Sequence, residues 1–146
     1  MQILLADMDQ TLLEVIQMFL VLKGQNVQTA SNGLTCVRLL GEMQPELLIL
    51  DDAIMWGRCD GVIDWVSTLP GKSLHSVIIM GDTGSSANWC ESGISVRHLV
   101  KPFGLAELLQ QVDLCRMDRC RSDKLPHLIE NSRRDCRHDL QEPIQC

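Results

Sequence analysis

At 146 residues and 45% hydrophobic side chains, the chain can bury one full core and is too apolar to be a disordered protein. Its net charge of −6 is uneven: residues 119–146 hold six Lys/Arg against five Asp/Glu, so the acidic excess lies in residues 1–118. An acidic body argues against direct nucleic-acid binding, and no apolar run approaches the ~18 residues of a membrane span.

The start, Met1-Gln2-Ile3-Leu4-Leu5-Ala6-Asp7, has no basic leader and meets an acid after a short apolar run, so no secretion signal is expected and the cytoplasm is the expected compartment. Residues 2–6 (QILLA) read as a buried strand. A helix is expected from Asp9 to about Lys23, with Leu12, Leu13, Ile16, Phe19, Leu20 and Val21 near helical spacing and Gly24 as its stop. Residues 26–30 (NVQTA) suit a short strand. "SNGL" then opens a second helix whose apolar candidates are Leu34, Val37, Leu39 and Leu40, with Pro45 beyond its end. Residues 47–50 form a third strand and Gly61 to Ser67 a short helix closed by "LPG". A fourth strand covers 76–80 (SVIIM), a weak helix Ser85 to Glu91, and a fifth strand 96–100 (VRHLV). The last strong helix starts near Phe103 and sets Leu105, Leu108, Leu109 and Val112 on one face.

This is a strand–helix pattern repeated five times, and short, continuously apolar strands suit a parallel sheet covered on both faces. Beyond about residue 118 the pattern fades into a tail, 119–146, with room for one short helix. The seven cysteines are better read as free thiols than as disulfides in a chain without an export signal. Cys115, Cys120, Cys136 and His138 are four conceivable zinc ligands, but their spacing fits structural sites poorly and Cys115 is expected to face the core. The Arg119/Arg121 and Arg133/Arg134/Arg137 groups alternate with acids and read as solvated faces.

Asp7, Asp51 and Lys101 each follow a predicted strand, the first, third and fifth. Ligand sites of open parallel sheets lie outside the carboxyl ends of the strands, where strand order reverses. In a five-stranded sheet ordered 2-1-3-4-5, Asp7 and Asp51 would face each other there with Lys101 nearby. Two carboxylates and an ammonium suit a divalent cation and a transferable phosphoryl group.

The sequence resembles a response-regulator receiver domain. "ILLAD" (3–7) resembles that family's first strand with its acidic end, "PELLILD" (45–51) its third strand with the phosphorylated aspartate, "DG" (60–61) the opening of its third helix, and "LVKPF" (99–103) its closing motif. The resemblance covers residues 2 to about 115 and implies a flavodoxin-like three-layer (βα)5 fold with a parallel sheet in order 2-1-3-4-5. It implies a single receiver of a two-component phosphorelay rather than an enzyme in the ordinary sense, with self-catalysed phosphoryl transfer and autodephosphorylation as its only chemistry. Asp51 is the implied phosphoacceptor, since Pro45 stands at the family's spacing before it; counting back from Asp60-Gly61 allows Asp51 or Asp52. Strand alternation points those two in opposite directions, so only one can face Asp7. Implied metal ligands for Mg2+ are Asp7, Asp51 and the Ala53 carbonyl, and Lys101 is the implied phosphate contact. Implied partners are a histidine kinase or phosphotransfer protein and a downstream protein, with homodimerisation an open option and neither nucleic acid nor membrane involved.

Two places depart from the family. Met8 stands where a second acid is usual, and a soft thioether replaces carboxylate oxygen poorly around magnesium, so weakened metal binding is expected. Asp9 is one residue too far along and is expected to cap the first helix. The family's switch hydroxyl falls on Met80 or Gly81, neither of which has one; Thr83 is a distant substitute, and His98 takes the aromatic switch position. A receiver that signals without phosphorylation is therefore the alternative reading. "DMDQTLL" (7–13) and "GDTG" (81–84) also resemble motifs of haloacid-dehalogenase-type phosphatases, in which Asp7 would be the nucleophile and Asp9 the general acid. There the order of motifs is wrong, because Lys101 follows Asp82.

Overall fold

The computed structural model describes residues 1–56, 58–68, 71, 73–82 and 93–122, with the backbone alone for 121 and 122. Five strands, β1 (Gln2–Ala6), β2 (Asn26–Ala30), β3 (Leu47–Asp51), β4 (Ser76–Gly81) and β5 (Ser95–Val100), form one parallel sheet in the order β2-β1-β3-β4-β5. This is the order that the receiver resemblance implies. Among the described residues the helices are α1 (Gln10–Leu22), α2 (Gly33–Met43), α3 (Arg58–Thr68) and α4 (Leu105–Ser122).

Strand alternation sorts the core into two layers. Leu4, Ala6, Leu48, Leu50, Val77 and Ile79 pack with Cys36 and Leu40 of α2 and with Cys59, Val62, Ile63 and Val66 of α3. Ile3, Leu5, Leu47, Ile49, Ile78, Met80 and Leu99 pack on the other face with Leu13, Ile16 and Leu20 of α1 and Leu108, Val112 and Cys115 of α4. Both faces are thus covered, which is why the strands carry apolar residues at every position instead of every second one. Burying each such side chain contributes roughly 1.5–3 kcal/mol, so the sheet is the most costly part of the molecule to perturb.

The helix starts are set by side-chain caps. The Asp9 carboxylate accepts from the Leu12 N–H at 3.1 Å, and Asn32 Oδ1 accepts from the Thr35 N–H at 2.8 Å. Each satisfies a backbone donor that the first helical turn leaves without a partner. Asp9 is therefore the cap that its position implies.

Several boundaries and faces differ from expectation. α3 begins at Arg58, three positions before the expected Gly61, because Trp56 and Arg58 adopt left-handed backbone (φ 67° and 51°) and turn the chain sharply into the helix. Val21 and Leu34 are exposed at 51% and 70%, since each lies off the arc that faces the sheet. In α4, Leu108 and Val112 are buried with Cys115, whereas Leu105 and Leu109 are only half-buried. α4 also continues to Ser122, past the expected fading near residue 118. Cys36, Cys59, Cys115 and Cys120 are free thiols. The expected helix over Ser85–Glu91, Thr83, and residues 123–146 with Cys136, His138 and Arg133/Arg134/Arg137 lie outside the described residues.

Candidate functional site

The three polar residues at the strand ends meet. Lys101 Nζ donates to Asp7 Oδ2 and to Asp51 Oδ1, both at 2.9 Å. The sheet places them so. β1 and β3 are neighbours, and parity along each strand puts Asp7, Asp51 and Lys101 on the same side as Leu5, Ile49 and Leu99, the α1/α4 face. Lys101 follows the edge strand, its N–H donating to the Gly81 carbonyl at 2.9 Å, and its long stem spans β4 to reach the acids. The Lys101–Pro102 peptide is cis.

Both carboxylates are buried, Asp7 3% and Asp51 5% exposed. Asp7 is held further: its own N–H donates to the Ala30 carbonyl at 3.1 Å, and its Oδ1 accepts from the Asp9 N–H at 2.8 Å. Asp51 closes β3 opposite Met80, and its Oδ2 receives no hydrogen bond from a described residue. Among the described residues, one oxygen of this buried carboxylate is thus left with its lone pairs available. Burial alone would lower the Lys101 pKa, but the hydrogen bonds to Asp51 and Asp7 and the charges of both outweigh it and raise the pKa above the ordinary lysine value. The ammonium is therefore a fixed positive charge between two acids at neutral pH.

A hard divalent cation takes oxygen ligands, and magnesium commonly uses one or two carboxylates while keeping several waters. Asp7 and Asp51 supply two converging carboxylates with spare acceptor capacity, and Ala53, whose carbonyl the receiver resemblance implies as a third ligand, lies exposed in the turn after β3. Met8 is 44% exposed and offers no oxygen from its side chain. No group of three or more His, Cys, Asp or Glu side chains converges among the described residues. The donor set fits a loosely held magnesium ion and not a closed protein cage.

Asp52 leaves this face. Its N–H donates to the Met80 carbonyl at 2.8 Å, and it is half-buried on the side of Leu50 and Ile79. Alternation therefore leaves Asp51, and not Asp52, on the face of Asp7 and Lys101. Behind the site, Ile54 is fully buried against the α2/α3 layer. The Met55 carbonyl accepts from the Gly33 N–H at 2.8 Å, tying the loop after β3 to the start of α2. A Cβ on Gly33 would lie 2.1 Å from the Trp56 carbonyl oxygen, so this approach requires glycine. That contact carries no recognisable sequence signal, because "SNGL" reads equally well as an ordinary capped helix start.

Of the remaining candidates, Gly81 ends β4, one residue beyond Met80 and hence beyond Asp51's partner. His98 lies on β5 and is exposed. Thr83 is outside the described residues. Asp9, the acid of the phosphatase reading, has its carboxylate on the α1 N-terminus. Beside Lys101, an open cavity of about 380 Å³ is lined by Leu12, Asp82, Lys101, Pro102 and Phe103.

No family model matches the sequence, and no curated protein matches it either. Solved structures do. A signal receiver domain from Vibrio parahaemolyticus superposes with a TM-score of 0.72 at 19% identity, over 86% of this chain and 97% of that one. The fold is that of a response-regulator receiver domain. The chemotaxis protein CheY4 of Vibrio cholerae shares this receiver fold at a TM-score of 0.68 and 18% identity, over 78% of this chain and 97% of its own. NtrX from Brucella abortus, crystallised with ATP, matches over 92% of this chain but only 33% of its own length, with a TM-score of 0.66 and 19% identity. In NtrX the receiver fold is thus one part of a longer chain. Among the described residues no helix is long and apolar enough to cross a membrane.

Proposed function

We propose that this chain is a receiver that accepts a phosphoryl group on Asp51 from a phosphohistidine of a kinase or phosphotransfer protein in the cytoplasm, and signals by contact with a downstream protein. The observation that carries this reading is the single lysine bonded at 2.9 Å to two buried carboxylates from separate strands. In the transfer, a P–O bond forms to Asp51 Oδ2, the oxygen that Lys101 does not bond, while the P–N bond to the partner's imidazole breaks, and the released ring nitrogen takes up a proton. Asp7, Asp51 and the Ala53 carbonyl would hold magnesium, which when bound offsets the negative charge of the phosphoryl oxygens. Lys101 is already charged and already within reach of Asp51, so it can turn to a phosphoryl oxygen without being recruited from solvent. Its release from Asp51 would in turn disturb β5, which it follows directly, and homodimerisation through that part of the molecule is one output open to such a domain.

The test is labelling of the full chain with acetyl phosphate and magnesium, read by intact mass. One added phosphoryl group that disappears in Asp51→Asn supports the proposal. Stable absence of label, with a downstream partner bound equally by wild type and Asp51→Asn, would favour the second reading, a receiver that binds without phosphorylation. Met8 and the hydroxyl-free end of β4 are the observations behind that alternative. Phosphatase turnover lost in Asp7→Asn would instead support the haloacid-dehalogenase reading, whose proton donor, Asp9, is here engaged as a helix cap.

A further inference from the structure

Gly81 is one of the two positions, with Met80, on which the receiver resemblance places a phosphoryl-reading hydroxyl, and the space its side chain would use is already taken. A Cβ built on Gly81 would lie 2.0 Å from Asp52 Oδ2, 2.2 Å from Asp52 Cγ and 2.8 Å from Asp52 Oδ1. No side chain fits there while the Asp52 carboxylate is in place. The occupant is an anion, which is opposite in electrostatic effect to a hydrogen-bond-donating hydroxyl. Among the described residues none donates a hydrogen bond to the Asp52 carboxylate or forms an ion pair with it, and Lys101 bonds Asp7 and Asp51. Its backbone is fixed, through the N–H bonded to the Met80 carbonyl at 2.8 Å, so the side chain can rotate without breaking the sheet. The field of this carboxylate is felt nearby. The Cys59 thiol is pushed up to about 11, first by burial, then by Asp60 and then by Asp52.

We propose that Asp52, seated over Gly81 in place of a switch hydroxyl, is the charge-sensing group of this site: it opposes an anionic phosphoryl group on the adjacent Asp51 and is driven from its seat when one is added. This rests on Asp51 being the acceptor. Before transfer, Asp7 and Asp51 share one ammonium, so the cluster is already net negative, and Asp52 adds a further charge on the other side of the same strand end. A phosphoryl group adds about two more negative charges. A like charge a few ångströms away, in a half-exposed setting, shifts such an equilibrium by roughly five- to ten-fold. The seat over Gly81 then empties at the end of β4, beside the carbonyl that holds Lys101. The same strand end that would respond to a gained hydrogen bond responds here to a lost contact.

Asp52→Asn keeps the shape and removes the charge. In the full chain treated with acetyl phosphate and magnesium, the ratio of labelled to unlabelled protein at steady state is expected to rise roughly five-fold or more over wild type, and the gain should shrink as salt screens the pair. Equal labelling of wild type and Asp52→Asn overturns the proposal while leaving Asp51 as acceptor. Loss of label in Asp52→Asn makes Asp52 the acceptor and overturns both readings. Absence of label from every variant overturns the acceptor reading and this proposal with it.

Discussion

Replacing Lys101 with methionine keeps most of the apolar stem and removes the ammonium from between Asp7 and Asp51. Two charge-assisted hydrogen bonds at 2.9 Å are lost, each worth roughly 1.5–3 kcal/mol in a setting of this kind. Because the lysine side chain is 28% exposed, water compensates part of this. The two acids are left 3% and 5% exposed with no cation between them, and breaking a buried pair in this way costs roughly 3–5 kcal/mol. For a domain of this size that lowers the melting temperature by on the order of 10 °C or more. The design includes its own control, since Lys101→Met/Asp51→Asn removes one of the stranded charges and should recover at least half of the loss. Thermal melts of the four proteins in the cycle, followed by circular dichroism near neutral pH, provide the comparison. A Lys101→Met protein that melts with wild type, or a double variant no better than the single one, would refute the argument that this ammonium neutralises a buried pair.

Four further outcomes follow from the same structure. The raised Lys101 pKa means that the stability it contributes is fully present below the ordinary lysine value of about 10.4 and is lost as pH rises through the higher folded value; alkaline melts should show that loss in wild type and lack it in Lys101→Met. Gly33→Ala drives a Cβ into the Trp56 carbonyl, and should cost roughly 1–3 kcal/mol in denaturant melts; an unchanged midpoint would mean that the loop after β3 is free to move away. Asp9→Ala removes the α1 cap and should cost about 1 kcal/mol without abolishing labelling of Asp51; a loss of label would instead place Asp9 in the chemistry. Burial pushes the Cys36 thiol up to about 12 and, with Asp60 and Asp52, the Cys59 thiol to about 11, whereas Cys120 is exposed. Alkylation of the native protein near neutral pH, mapped by peptide mass, should therefore modify Cys120 well before Cys36 or Cys59.

Much of the molecule was legible because its signals are local or strictly periodic. Uninterrupted apolar strands announce a sheet covered on both faces, and all five strands lie where the alternation of apolar runs and turn residues puts them. Asp9 reads as a cap because a cap depends on only three residues of chain. Only one of Asp51 and Asp52 could face Asp7, because two adjacent strand residues cannot face the same way, and the resemblance chose Asp51 through the spacing from Pro45. The convergence of Asp7, Asp51 and Lys101 follows from strand order, and its expectation rested on the resemblance as much as on the residues.

What the chain alone left undecided depends on contacts between segments far apart in sequence. Whether Met80 or Gly81 lies across from Asp51 is a matter of register between β3 and β4, set by side chains packing on both faces of the sheet. The start of α3 turns on left-handed backbone at Trp56 and Arg58, which no residue preference there favours. Nor does any pattern in "LLILDDAIMW" show that the second acid swings over Gly81, since that seat exists only once two parallel strands end side by side. Local chemistry determined which groups the site contains; long-range packing decided which of them stand next to one another, because periodicity constrains a face but never the distance to a neighbour.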